Sequence, residues 1–275
     1  MSLDEGIRRV DLRTGVSLSF REQGDRSEPS LVLLHAWGES MRCFERLTSL
    51  LPRSLHVVAV DQRGHGMADK PVGGYHLASL AADIEAFMDA IGLSSAVLAG
   101  SSSGGYIAQE VAVQNPDLVT GLILIGSPRS LQGQPAFADQ LDLLTDPIDR
   151  AWASDFVASF PLFHHVPRWY IEDRVEEALA IPADTWRKSL AGLTQSPAPI
   201  ETGTISAPTL IIWGDRDQFL ARDDELALAA DIAGSRFIEY EGVGHLVLWE
   251  QPERVAADIT AFLQDVTHGE NDHLE

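Results

Sequence analysis

Residues 97–106 read Val-Leu-Ala-Gly-Ser-Ser-Ser-Gly-Gly-Tyr. A short apolar run leads into Gly-x-Ser-x-Gly, and a helix-like stretch follows. Strand, sharp turn, helix is the order that presents a serine hydroxyl above a sheet, because small flanking residues allow a turn tight enough to push the side chain out. Ser102 has glycine on both sides at a spacing of two, Gly100 and Gly104; the competing hydroxyls Ser101 and Ser103 do not. A serine hydroxyl is a weak nucleophile until a neighbouring base takes its proton, and that base needs an acid to fix its tautomer. Downstream, an apolar run over 209–213 ends in Gly214-Asp215-Arg216-Asp217. A second run over 236–240 leads into Gly242-Val243-Gly244-His245. Asp215 and Asp217 are the candidate acids and His245 is the candidate base. All lie just past the expected carboxyl ends of strands, where open α/β sheets place their sites.

Four segments, in this order over nearly the whole chain, together resemble the α/β-hydrolase superfamily. They are Leu34-His35-Ala36-Trp37-Gly38, Asp61-Gln62-Arg63-Gly64-His65-Gly66, the Ser102 turn, and the paired Gly-Asp-x-Asp and Gly-x-Gly-His segments. The resemblance implies that Ser102 is the nucleophile, that Asp217 orients His245, and that Asp215 holds its own turn. Some relatives carry the acid after the preceding strand, but Gly126-Ser127-Pro128 offers no carboxylate there. The resemblance also implies an oxyanion hole built from the backbone amides of Ser103 and Trp37. The family commonly has His-Gly where this chain has His35-Ala36, and alanine reaches fewer backbone angles than glycine. His35 and His65 are expected to organise loops through hydrogen bonds.

The implied activity is cofactor-free hydrolysis of a carboxylic ester or lactone through an acyl-enzyme. Serine at the turn argues against the dehalogenase and epoxide hydrolase chemistry of similar proteins, which needs a carboxylate there. Carbon–carbon bond hydrolysis, as in relatives that act on ring-fission products of aromatic compounds, shares the same residues and stays open. So does a ligand-sensing or partner-binding role with residual turnover; perhydrolysis is a conceivable side activity. Activity is expected to rise with pH as His245 loses its proton.

Positioning these residues requires a sheet. Short apolar runs over 7–12, 16–22, 31–34, 57–60, 96–99, 122–125, 209–213 and 236–240 predict strands. Helical spacing predicts helices over 41–51, 77–91, 104–114, 225–232 and 252–263. This alternation predicts an α/β fold with a mostly parallel central sheet covered by helices on both faces. Residues 127–205 interrupt the alternation with proline-broken short helices, which the resemblance implies form a helical cap over the Ser102 site. The expected division is a core of 1–126 and 206–265, a cap of 127–205 and a flexible tail of 266–275. The cap segment concentrates aromatics: Phe137, Trp152, Phe156, Phe160, Phe163, Trp169, Tyr170 and Trp186. Of these, Trp152, Phe156, Phe160, Phe163, Trp169 and Trp186 are candidates to wall a substrate pocket, since such pockets are mostly apolar.

Composition narrows the partners. Twenty Lys and Arg against 41 Asp and Glu give a net charge of −21, which disfavours nucleic acid and anionic membranes. No apolar run approaches the length of a membrane span. The first twelve residues lack the apolar centre of a secretory signal, so a cytoplasmic protein is expected. The single cysteine, Cys43, excludes an internal disulfide and reads as a small buried hydrophobe. No His/Cys/carboxylate cluster has zinc spacing and His164-His165 is an isolated pair, so neither metal nor cofactor is expected. Association as a homodimer stays open.

Overall fold

The computed structural model describes residues 6–133 and 138–272. Its strands are β1 (Arg8–Asp11), β2 (Ser17–Gln23), β3 (Ser30–Leu34), β4 (His56–Asp61), β5 (Ala96–Ser101), β6 (Val119–Ile125), β7 (Thr209–Gly214) and β8 (Arg236–Tyr240). They form one sheet in the order β1-β2-β4-β3-β5-β6-β7-β8. The β1–β2 and β2–β4 pairs are antiparallel, and every later pair is parallel. In chain order the helices are α1 (Glu45–Thr48), α2 (Leu77–Ala90), α3 (Ser103–Gln114), α4 (Ala138–Leu141), α5 (Arg150–Ala158), α6 (Arg168–Leu179), α7 (Ala183–Thr194), α8 (Pro199–Thr202), α9 (Arg222–Asp231), α10 (Val247–Glu250) and α11 (Pro252–Asp272).

Successive residues of a strand point to opposite faces. Leu31, Leu33, Val57, Val97 and Ile123 therefore join one apolar layer, under α1 and α11. Val32, Leu34, Val58, Leu98 and Leu122 join the other, under α2, α3 and α9. Both faces being covered explains why β4 and β7 are apolar runs without alternation and are buried along their whole length. Each fully buried Leu or Val of these layers stabilises the fold by roughly 1.5–3 kcal/mol.

Helices α4 to α8 all lie between β6 and β7, within the segment where a helical insert is expected. Trp186, Tyr170 and Val157 from this insert belong to the same apolar layer as β3 and β5. At the other end, α11 runs to Asp272, so 266–272 are helical rather than a tail. Val266 packs against the core there and extends the apolar stripe by a turn. The last three residues, and Phe137, lie outside the described residues. No helix among the described residues is long and apolar enough to cross a membrane.

Candidate active site

Ser102 sits between β5 and α3 with φ 49° and ψ −121°, a backbone conformation that costs on the order of 1–3 kcal/mol for a residue with a Cβ. Two glycines make it possible. A Cβ at Gly100 would overlap the Gly105 amide, and one at Gly104 would overlap the Leu34 carbonyl. The turn is fastened on both sides: the Ser102 amide donates to the Ile125 carbonyl at 2.9 Å, and the Ser127 hydroxyl donates to the Ser102 carbonyl at 2.9 Å.

The structure brings His245 and Asp217 to this hydroxyl. His245 Nε2 lies 3.1 Å from Ser102 Oγ, and Nδ1 lies 2.7 Å from Asp217 Oδ2. The other carboxylate oxygen of Asp217 accepts the amides of Phe219 (2.7 Å) and Leu220 (3.0 Å). Asp215 faces elsewhere and accepts the Gly242 amide at 2.6 Å. His245 is packed between Phe160 and Phe219, with ring centroids 5.8 and 5.3 Å away. Its loop is clamped by buried Glu250, which accepts the amides of Gly244, Phe163 and His164, each at 2.9 Å. Glu250 thus ties the histidine loop to the helical insert. Nothing in local spacing marked it, because its partners are backbone amides, one six residues away and two in the distant insert.

The His35 and His65 rings organise loops. His35 Nε2 accepts the Gln62 amide at 3.0 Å, so its proton is on Nδ1, which donates to the Ala36 carbonyl at 2.8 Å. Burial holds the His35 pKa well below the ordinary histidine value, which keeps this neutral tautomer. Burial likewise lowers the pKa of His65 to about 4, and its Nδ1 bonds the Arg63 carbonyl. Arg63 in turn makes a two-pronged bond to Asp83 of α2 at 2.6 and 2.7 Å. Cys43 is buried with its thiol pKa raised well above normal by desolvation, consistent with a packing residue.

The two expected oxyanion donors differ in their present partners. The Ser103 amide opens α3 beside Ser102, as anticipated. The Trp37 amide, however, donates to Ser103 Oγ at 2.7 Å. Sequence reasoning placed a backbone donor at Trp37 but did not foresee that a serine at position 103 brings a hydroxyl within its reach.

A cavity of about 340 Å³ opens above Ser102 and His245. Phe156 and Phe160 wall it, as expected. Trp152 and Trp186 form a layer behind the wall, Trp152 stacked on Phe156 at 5.5 Å and Trp186 edge-on to it at 5.0 Å. Phe163 and Trp169 do not belong to it: they are 41% and 51% exposed, Phe163 beside Arg216 and Trp169 against Tyr170. Leu190, Leu193, Phe219, Leu246 and Trp249 are among the other apolar wall residues and were not anticipated. One corner is polar, with Glu39 and Arg174. The Arg174 guanidinium bonds Glu177 at 2.7 Å. Burial pushes the pKa of Glu177 up to about 7, against the opposing pull of Arg174.

Glu225 of α9 is fully buried, and neither carboxyl oxygen has a partner among the described residues. Burial, reinforced by the Asp217 and Asp224 carboxylates, pushes its pKa up to about 8 from 4.5. Between those values the folded protein holds a proton that the unfolded chain has released. Stability from this group is complete below the unfolded value and is lost as pH rises through the folded one. Glu225→Gln should therefore melt close to wild type at pH about 4.5 and increasingly above it towards pH about 8. A melting difference that does not change with pH would contradict this assignment.

The alpha/beta hydrolase fold family model matches residues 29–252. Monoacylglycerol lipase abhd6-B of Xenopus laevis is 27% identical over 89% of this chain and 78% of its own. Epoxide hydrolase 4 of Mus musculus is 27% identical over 92% of this chain and 78% of its own. The crystal structure of the enol-lactonase from Burkholderia xenovorans LB400 aligns with a TM-score of 0.80 at 20% identity, covering 94% of this chain and 100% of that one.

Proposed function

Because the chain belongs to the alpha/beta hydrolase fold family, we propose that it is a cofactor-free serine hydrolase of carboxylic esters or lactones. The observation that carries this reading is the hydrogen-bonded line Asp217–His245–Ser102 opening on an apolar cavity. His245 Nε2 takes the Ser102 proton as Oγ attacks the carbonyl carbon, and the carbonyl electron pair moves onto its oxygen. Collapse of this intermediate expels the alkoxide, which receives the proton from His245. Water, deprotonated by the same ring, then releases the acyl group. Asp217 keeps the Nδ1–H tautomer and stabilises the imidazolium as it forms. A lipase and an epoxide hydrolase among the relatives show that the family does not dictate the reaction. Serine at position 102 supports acyl transfer, since epoxide opening needs a carboxylate to form the covalent ester.

The cavity supports a largely apolar substrate of small to medium size. At the packing density of protein interiors, ~0.74, it holds a molecule of roughly 250 Å³. The Arg174 guanidinium bonds Glu177 through one nitrogen, while its Nε and Nη1 have no hydrogen-bond partner among the described residues. The net charge of −21 favours such substrates over nucleic acid.

A panel of p-nitrophenyl esters of increasing acyl length, together with lactones, tests the reading. Phe156→Ala should move the preferred acyl length upwards while Ser102 remains reactive to a fluorophosphonate. The shift should be graded, because a methylene in an apolar pocket is worth roughly 1–3 kcal/mol. Trp169→Ala, remote from the cavity, should leave the preference unchanged. Equal loss on every substrate in the Phe156 variant would mean that this ring only packs the insert.

A further inference from the structure

The Trp37 amide cannot swing freely towards a substrate. It belongs to the same peptide unit as the Ala36 carbonyl, and in a trans peptide C=O and N–H point in opposite directions. The Ala36 carbonyl is held from two sides, by His35 Nδ1 at 2.8 Å and the Glu39 amide at 3.1 Å. That clamp aims the Trp37 N–H at Ser103 Oγ, 2.7 Å away. A hydroxyl carries two lone pairs and one hydrogen. Ser103 Oγ therefore accepts from Trp37 and retains its own hydrogen, for which no acceptor exists among the described residues. Ser103 is buried, and it lines the cavity that contains Ser102 and His245. Its backbone amide, at the first position of α3, also lacks an acceptor among the described residues.

We propose that the Ser103 hydroxyl is a catalytic residue that donates directly to the oxyanion, with the Trp37 amide acting behind it. The inference rests on the reading of Ser102 as the nucleophile. When Ser102 Oγ bonds to the carbonyl carbon, the C=O electron pair becomes the oxyanion and the Ser102 proton moves to His245 Nε2. Ser103 contributes two hydrogen bonds to that oxygen, N–H and O–H, and transfers no proton. Accepting a bond from Trp37 polarises the hydroxyl and makes it a stronger donor. The N-terminal field of α3 adds to the stabilisation. As charge collapses back into the carbonyl, both bonds weaken, so the effect is confined to the transition state and appears in kcat.

The experiment compares wild type, Ser103→Ala, Ser103→Thr and Ser103→Cys on a p-nitrophenyl ester, with melting temperature recorded for each. Loss of one donor in a comparable site costs about 10²–10³ in kcat. Alanine also uncovers the Trp37 amide, so the expected loss is roughly tenfold to hundredfold, with KM nearly unchanged. Threonine keeps the hydroxyl and should restore kcat to within a few fold, whereas cysteine, a weak donor of similar size, should resemble alanine. A trifluoromethyl ketone should lose affinity in parallel with kcat/KM. If Ser103→Ala matches or exceeds wild type in kcat, the hydroxyl is a plug over the Trp37 amide and the proposal fails. Should alanine lower the melting temperature, cysteine at wild-type kcat overturns it equally well. Failure of the underlying reading looks different: wild type itself would show neither ester turnover nor fluorophosphonate labelling at Ser102.

Discussion

Ser102→Ala is expected to lower kcat by roughly 10⁶-fold, the loss seen when the serine of a comparable hydrolase is removed. It should also abolish the single covalent label that a fluorophosphonate leaves on the wild-type chain. The melting temperature should barely move, for three reasons visible in the geometry. Alanine carries the same Cβ, so the backbone strain at φ 49° is unchanged. The bonds that fasten the turn use the Ser102 amide and carbonyl, which the substitution leaves in place. Among the described residues, the side-chain bond lost is the one to His245, and a single bond of this kind contributes about 1 kcal/mol. Mass spectrometry of the labelled peptide decides the matter, since Ser101 and Ser103 are neighbours. Label on either of them in the native protein, or full turnover by the alanine variant, would remove Ser102 from its assigned role.

The Ser102 turn was legible because steric exclusion leaves so few residue types at Gly100 and Gly104. The same holds for the parallel strands, where burial on both faces demands unbroken apolar runs such as Leu31–Leu34 and Thr209–Trp213. Strand ends were less readable. The expected start of β6 falls three residues late, since Val119, Thr120 and Gly121 lack the uniform apolar character of the rest of the strand. The short α10 escaped notice because four residues cannot show a period, yet it supplies both Glu250 and the wall residue Trp249. The insert was legible only in outline. Which aromatic faces the cavity depends on how each helix is rotated and on what lies beneath it. Trp186 is fully buried against Trp37 while Trp169, also on a helix of the insert, is half exposed. Composition cannot distinguish the two. The hydroxyl of Ser103 is an intermediate case: its position was evident, but its bond to Trp37 depends on how the Ala36–Trp37 peptide is held by His35 and Glu39.

Asp217→Asn is expected to reduce kcat by about 10⁴-fold, as amidation of the corresponding acid does elsewhere. The two faces of Asp217 explain why the loss is so large for so small a change. Oδ1 accepts two backbone amides, from Phe219 and Leu220. An asparagine must keep its carbonyl oxygen on that side, because its NH₂ group cannot face two N–H donors. The NH₂ group is then directed at His245 Nδ1, which must become an acceptor. The ring proton moves to Nε2 and points at Ser102 Oγ, so the nitrogen 3.1 Å from that hydroxyl can no longer take its proton. Folding should survive, since the backbone bonds remain. Asp215→Ala supplies the contrast. Asp215 holds the Gly242 amide at 2.6 Å, at a turn where Gly242 has φ 74°. Removing that charged acceptor should cost about 1.5–3 kcal/mol of stability while kcat changes only a few fold. Steady-state kinetics and thermal melting on the two variants separate the roles. A stable, active Asp217→Asn paired with an inactive but stable Asp215→Ala would exchange them, and the line from carboxylate to nucleophile would have to be redrawn through the other aspartate.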